Sequence, residues 1–362
     1  MAVIRVGVVG ANPQAGWARG AHMPVFAALP QFELTAVATR NAASAEAAAT
    51  AWGARHAFDD PAALAASPDV DLVVISVRAP SHFDVALAAI EQGKHLLCEW
   101  PVGSNLAQTR GIVERAAAAG VRAFAVLQAR AAPPAVHARA LIAEGYVGRI
   151  YSASIHAAFP TWGNPIASAY SADVAAGVNV LTIAGGHGLD LATFVVDQDV
   201  VDIAGVESHL RREVKAADTG ETVPFTAPDQ FACVGSLASG AALSAHIVGA
   251  SLSSRHFQLR IIGDAGELTI DADGMPEIAP LRLSGTRDPA QAPSPIPVPD
   301  SRYLVPGVEG SALNVAHLYR QVADDLASGS RTAPDLASAL KTRALLDAVQ
   351  RSAAGMGRIV LE

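Results

Sequence analysis

The chain of 362 residues contains only two cysteines, Cys98 and Cys233. They lie in separate strand-like runs, so they form neither a disulfide framework nor the paired spacing of a metal site. No run of Lys or Arg occurs, and the formal net charge is −8. Nothing here would neutralise phosphates along a duplex, which excludes a general nucleic-acid binder. Without a basic stretch there is also no support for a membrane-surface role. Long apolar runs are lacking too, because each is cut by a charge or turn residue before it reaches bilayer-spanning length. The first strand-like run begins almost at Met1 and leaves no room for a secretory signal. Internal repeats and low-complexity tails are absent; the alanine-rich stretches are ordinary helix formers. These absences predict a reduced, cytoplasmic protein with no nucleic-acid or membrane partner.

What is present is globular: 51% of residues are hydrophobic and 17% charged. The length predicts two domains. Val3–Val9 is a continuous run of the kind expected for a strand buried on both faces. It ends in Gly10-Ala11-Asn12-Pro13-Gln14-Ala15-Gly16-Trp17, and a helical pattern follows towards Leu29. Strand, glycine turn and helix form the context of a dinucleotide fingerprint, in which glycines admit a pyrophosphate close to the backbone. Asn12 stands where the second glycine would be, and asparagine tolerates left-handed backbone. A plain strand–helix turn is the competing reading.

A second strand, Glu33–Ala38, stops at Thr39-Arg40-Asn41. An acid is usual at that point for the ribose hydroxyls of NAD, whereas an arginine accommodates a 2′-phosphate. Thr39 followed by Arg40 tilts the expectation towards NADP over NAD. Alternatively Arg40 merely opens the surface helix Ala42–Trp52. Asp69–Ser76 is a further strand, running into Val77-Arg78-Ala79-Pro80-Ser81-His82 and a helix to Gln92. His95–Cys98 then stops at Glu99-Trp100-Pro101, a helix spans Asn105–Ala119, and Val121–Leu127 closes the alternation. Such spacing predicts βαβ units and a doubly wound parallel sheet over residues 1–128. Ligands of such sheets bind at the carboxyl ends of the strands, which is where Glu99, Trp100 and Gln128 fall.

The second half, 129–362, changes period. Ile150–Phe159 alternates polar and apolar residues, and similar runs recur at Val200–Leu210, Phe231–Leu237, Ala241–Val248, Phe257–Ile262 and Glu267–Ile270. Ser239-Gly240 and Asp264-Ala265-Gly266 read as hairpin turns. The expectation is an open, mainly antiparallel sheet with one face uncovered. Asp173–Val196 reads as helix over much of its length and puts His187 and Asp190 on one face. Ala279–Pro306 reads as a long excursion. Leu313–Ala327 and Leu336–Ala353 are amphipathic helices able to pack back on the first domain, and Gly357–Leu361 is a last strand.

The order of motifs resembles the Gfo/Idh/MocA oxidoreductase family. The resemblance rests on Gly10…Gly16, Ser76–His82, Gly93-Lys94-His95…Glu99-x-Pro101, Gly185-Gly186-His187-Gly188-Leu189-Asp190 and Ile261-Ile262-Gly263-Asp264-Ala265-Gly266-Glu267-Leu268. Gly16-Trp17-Ala18, Glu99-Trp100, Leu127-Gln128-x-Arg130 and Ala227-Pro228-Asp229 look closest to the branch that contains a fungal galactose-regulon repressor. The resemblance implies a dinucleotide over Gly10, Asn12, Gly16 and Trp17, with contacts from Thr39, Arg40, Val77, Ala79, His82, Glu99, Trp100 and Gln128. It also implies a cis bond before Pro101 and self-association through the open sheet, as a homodimer or larger. Family enzymes move the substrate proton with a lysine in Glu-Lys-Pro and an aspartate four residues before a histidine. Here those positions are Trp100 and Ile183, and only His187 remains as the expected acid–base group. Tyr170, Asp173 and His156 are possible substitutes. A purely structural His187 bonded to Asp190 or to backbone is the competing reading. Two functions stay open: an NAD(P)-dependent oxidoreductase acting on a sugar, polyol or related small molecule, and a catalytically degenerate NAD(P)-binding sensor.

Overall fold

The structure, a computed structural model, describes residues 3–361. The chain divides into two compact units, Met1–Ala131 with Tyr303–Leu340, and Ala132–Arg302 with Lys341–Glu362. The first unit is therefore built from two separate stretches of chain, the second carrying a late helix back to the first.

In the first unit, β1 (Ile4–Val9), β2 (Phe32–Ala38), β3 (His56–Phe58), β4 (Leu72–Ile75), β5 (His95–Glu99) and β6 (Ala123–Val126) pair in parallel. Their order in the sheet is β3-β2-β1-β4-β5-β6. The β-branched and leucine runs predict burial on both faces, and Val6, Val8, Leu72, Val74 and Leu97 are fully enclosed. The intervening helices are α1 (Trp17–Ala21), α2 (Met23–Ala28), α3 (Ala42–Trp52), α4 (Pro61–Ala66), α5 (His82–Glu91) and α6 (Leu106–Ala119). Local chemistry sets their ends. Asn41, Asp60 and Asn105 each accept a backbone N–H of the first turn at 2.9 Å, while Gly53 and Gly120 close α3 and α6 in left-handed conformation.

Three expectations need correction here. The single helix from Trp17 towards Leu29 is broken at His22, because Pro24 occupies the first turn of α2 and cannot continue α1. The strand expected over Asp69–Ser76 is only β4, since Asp69 and Asp71 turn to Arg5. The short elements β3 and α4 were not anticipated; three and six residues are too few to show a period.

The helix Ser311–Ser328 belongs to this unit and packs on α1, α2 and the 3₁₀ turn Gln128–Ala131. Its buried stripe, including Val315, Leu318, Tyr319 and Val322, joins Val6, Val8, Phe32, Val37 and Phe124 in one core.

The second unit begins with α7 (Pro133–Ala143), β7 (Ile150–Ala158), α8 (Gly186–Val196) and β8 (Val200–Ser208). β9 (Glu213–Lys215) and β10 (Thr222–Pro224) make a separate small hairpin. β11 (Gln230–Leu237), β12 (Ala242–Val248), β13 (His256–Gly263), β14 (Glu267–Ala272), β15 (Arg282–Thr286), β16 (Ser294–Pro295) and β17 (Ile359–Val360) complete a nine-stranded sheet. Its order is β16-β15-β14-β13-β7-β12-β11-β8-β17, and only the β7–β12 pair is parallel. α8 lies on one face. A Cβ on Gly188 would be 3.3 Å from the Phe257 ring and 3.7 Å from Ile155 and Ile247, and one on Gly185 would meet the Phe231 ring at 2.7 Å. Those two glycines let the helix approach the sheet.

The stretch expected to be an excursion, Ala279–Pro306, instead adds β15 and β16 to the sheet edge. Its prolines hid the register of a short edge strand. Val174–Val196 is long and apolar enough to cross a membrane by composition, but 78% of its best window is buried within the fold. It is interrupted by a π turn, Leu181–Gly185, and is a core element.

Candidate functional site

Because all six strands of the first sheet are parallel, the residues that follow them gather at one edge. The chain leaves β1 for β2 on one side, while β4 lies on the other, so the β1 turn sits at the point where strand order reverses. Gly10 there has φ 101°, and a Cβ on it would stand 2.2 Å from the Ser76 carbonyl at the end of β4. Only glycine fits. Gly16 also has positive φ, 99°, with open space around its Cα. Asn12 does not adopt the left-handed backbone expected of it; its Oδ1 accepts the Gln14 N–H at 2.9 Å and shapes the turn through its side chain.

The end of β5 is tied to this turn. Trp17 Nε1 donates to Glu99 Oε1 at 2.8 Å, and His22 Nε2 reaches the same oxygen at 2.7 Å. His22 Nδ1 lies 2.9 Å from the Tyr319 hydroxyl. The assignment that satisfies every partner has Tyr319 donating to Nδ1 and Nε2–H donating to Glu99. Tyr319 is fully buried, which pushes its pKa well above 10 and keeps it a donor. Trp100 is 5% exposed, and the Trp100–Pro101 bond is cis.

His82, at the start of α5, is buried between two loops. Its Nδ1 lies 2.9 Å from the Pro101 carbonyl and its Nε2 3.0 Å from the Val77 carbonyl. It therefore joins the loop after β4, where Ala79 is buried, to the loop after β5. Burial lowers its pKa, against the pull of those carbonyls. Ser76 Oγ is also buried at this edge and has no hydrogen-bond partner. Sequence reasoning missed it, and its place at the strand end was the available signal. At the end of β2, the Thr39 hydroxyl is 2.5 Å from Ser44 Oγ, while Arg40 is exposed and makes no ion pair among the described residues. Gln128 follows β6, is 1% exposed, and leaves its Oε1 unpartnered.

His187 belongs to the second unit. It is 5% exposed in the first turn of α8, and its Nδ1 has no hydrogen-bond partner. Burial drives its pKa down to about 3, so the ring is neutral at pH 7. Asp190, one turn on, accepts from Thr342 Oγ1 at 2.9 Å, which anchors Leu336–Arg351 to α8. The expected substitutes divide. Asp173 caps the next turn through Ala175 N–H at 2.9 Å, and Tyr170 lies in the 3₁₀ turn Ala169–Ala172. His156 is no substitute: it points from β7 to the uncovered face, away from α8, and contacts His256 at 3.1 Å. No group of three or more His, Cys, Asp or Glu suited to a metal ion occurs among the described residues.

A parallel sheet with a glycine turn at its switch point, backed by buried polar atoms with unused capacity, fits a dinucleotide and defines the first unit as a nucleotide-binding Rossmann domain. Residues 4–127 match the family described as "Oxidoreductase family, NAD-binding Rossmann fold", and residues 133–272 match the Gal80p C-terminal domain. The galactose/lactose metabolism regulatory protein GAL80 of Saccharomyces cerevisiae is 30% identical over 310 residues, covering 79% of this chain and 71% of GAL80. A Gal80p super-repressor structure from that yeast superposes with TM-score 0.89 at 24% identity, over 99% of this chain and 98% of the other. Dehydrogenase aclE of Aspergillus oryzae is 36% identical over 171 residues, 46% of this chain; the match spans 47% of aclE. Levoglucosan dehydrogenase in complex with NADH and L-sorbose shares the fold, with TM-score 0.87 at 21% identity over 99% of both chains. The chain belongs to the Gfo/Idh/MocA family and carries a Gal80p-type C-terminal domain.

Proposed function

We propose that this protein is an NAD(P)-dependent oxidoreductase acting on a sugar, polyol or related neutral hydroxylated compound. The dinucleotide lies over Gly10–Trp17, with Val77, Ala79, His82, Glu99, Trp100 and Gln128 around its nicotinamide half and Thr39 and Arg40 at the adenosine end. The cofactor, when bound, supplies the hydride chemistry. Arg40 favours NADP over NAD, because an exposed guanidinium pairs with a 2′-phosphate. The observation that carries the catalytic reading is His187, a buried neutral imidazole with an unused ring nitrogen. Buried ring nitrogens normally find a partner, so an unused one favours a ligand-facing role. Its role is to hydrogen-bond the reacting hydroxyl or carbonyl oxygen as a neutral group. Levoglucosan dehydrogenase, with its L-sorbose complex, supports a carbohydrate-like substrate. The uncovered sheet face, with Val206 and Val234 exposed, is where two copies associate.

The test is incubation of purified protein with NADP or NAD, oxidised or reduced, and a panel of sugars, polyols and keto-sugars while nicotinamide absorbance is followed. One observation favours a second reading, an NAD(P)-binding regulatory protein. Trp100 is buried where the family's enzymes place the lysine, and the relative GAL80 is a regulator. Cofactor binding without turnover of any compound would select that reading.

A further inference from the structure

Two buried polar atoms of the Rossmann unit lack partners on elements that pack together. One is Gln128 Oε1, just beyond β6; the other is His317 Nε2, on the helix Ser311–Ser328. Gln128 is 1% exposed and His317 2%, and the helix lies along the turn that begins at Gln128. The His317 ring has an edge contact with Tyr303 at 6.4 Å. Burial pushes its pKa down to about 4, so the ring is uncharged at pH 7. Buried polar atoms normally find a partner, and leaving two unsatisfied on touching elements is costly unless a ligand completes them.

The chemistry of the pair is specific. Gln128 Oε1 only accepts, while Nε2 of a neutral imidazole donates in one tautomer. A diol or hydroxy-carbonyl matches both: one O–H donates to Gln128 Oε1, and the neighbouring oxygen accepts from His317 Nε2–H. A carboxylate or phosphate would set its lone pairs against those of Gln128 Oε1. We infer that Gln128 and His317 form a recognition subsite for a neutral polyhydroxylated ligand at the carboxyl edge of the Rossmann sheet. This rests on the carbohydrate reading above and assigns two residues to it. His317 lies outside every motif that pointed to the site.

The experiment is calorimetric titration of NADH-saturated protein at pH 7.5 with L-sorbose, levoglucosan and scyllo-inositol, and with gluconate as the anionic comparison. Wild type is compared with His317→Leu and Gln128→Met. A neutral probe should bind wild type and bind each variant at least tenfold more weakly, with the NADH affinity of His317→Leu within twofold of wild type. Both ligand-free variants should melt higher, by about 2–4 °C, because an unsatisfied buried atom is replaced by an apolar one of similar size. Variants that bind the probe like wild type overturn the subsite and leave the oxidoreductase reading standing. Loss of NADH by His317→Leu instead assigns His317 to the cofactor and overturns it. A lower melting temperature marks the residues as structural, and preference for gluconate overturns the neutral class. A wild type that holds NADH and binds no neutral probe overturns the subsite together with the carbohydrate reading.

Discussion

Trp17 and Glu99 meet through one hydrogen bond, indole Nε1 to carboxylate Oε1 at 2.8 Å, across 82 positions of sequence. It fastens the glycine turn after β1 to the end of β5. His22, bonded to the same oxygen, carries the connection to Tyr319 on the returning helix Ser311–Ser328. Glu99 thus braces the cofactor edge, and the glutamate of Glu-Trp-Pro needs no chemical step to justify its place.

Glu99→Ala should leave the donors of Trp17 and His22 unpaired in a largely closed setting. The expected loss is about 1–3 kcal/mol of stability. Trp17→Phe removes one donor and keeps the ring, so it should cost about 1 kcal/mol. Urea unfolding of both variants measures this, and NADH affinity should fall in the same order. A Glu99→Ala protein no less stable than Trp17→Phe would show that the carboxylate is not the centre of the network.

Buried histidines make stability depend on acid, and His187 and His317 are shifted far. Folded His187 has a pKa near 3 and folded His317 near 4, both below the 6.5 of the unfolded chain. Between those values the unfolded state binds more protons, so stability is complete above pH 6.5 and falls as the pH is lowered. Each histidine contributes about 1.4 kcal/mol per pH unit in that window. Urea midpoints at pH 7.5, 6.0 and 5.0 should therefore decline, and less steeply in His317→Leu. An unchanged slope in that variant would place the acid sensitivity elsewhere.

The sequence revealed the Rossmann half through its buried strand runs, because burial on both faces leaves little choice of residue. The second sheet was equally legible from alternation, since its inner face packs on α8 and its outer face does not. What escaped detection had physical causes. The break at His22 depends on Pro24 sitting where a new helix could start, a pattern that also suits a continuous helix with a kink. β15 follows a proline- and turn-rich stretch, and nothing local says which edge it joins. The Gly185–Asp190 motif was read for its chemistry, but Gly185 and Gly188 are set by the approach of α8 to Phe231 and Phe257. His317 could not be found from pattern at all, and Ser76 only by its place at a strand end, because an unsatisfied buried atom is a property of the packed fold.

The proposed preference for NADP rests on Arg40. The protein should bind NADP(H) more tightly than NAD(H), and Arg40→Ala should narrow the difference by about 1–3 kcal/mol, the range of one charge-assisted bond. Fluorescence titration with NADPH and NADH measures both constants. Equal affinities in the unmodified protein would remove the preference.

The uncovered face of the nine-stranded sheet offers a direct test of self-association. Val234 is 56% exposed on β11, diagonal to Val206 at 62% on β8. Val234→Lys sets a charge on that face and, if two copies meet there, should shift the protein to monomer without lowering its melting temperature. Sedimentation equilibrium at several concentrations reads this out. An oligomer unaffected by the charge would move the interface to another surface.

His187 separates the two functions. It must reach a bound substrate oxygen at roughly 2.6–3.2 Å to hydrogen-bond the reacting group. His187→Ala should then reduce turnover by about 10²–10⁴-fold, the usual range for one acid–base group, while cofactor affinity stays nearly unchanged. With its pKa held near 3, His187 adds no inflection of its own to the rate between pH 5 and 8, so the wild-type profile should lack a histidine step from this residue. Turnover that survives His187→Ala undiminished would dismiss the residue but keep the enzyme. If no compound is turned over, Trp100→Ala becomes the informative variant. Trp100 is 5% exposed at the carboxyl edge, and removing its ring should weaken NAD(P)H binding by taking away an apolar wall. Intact cofactor binding, no turnover and a strong Trp100→Ala defect would together describe a sensor, because the dinucleotide would then be bound for its own sake and the position of the family's lysine would serve only to hold it.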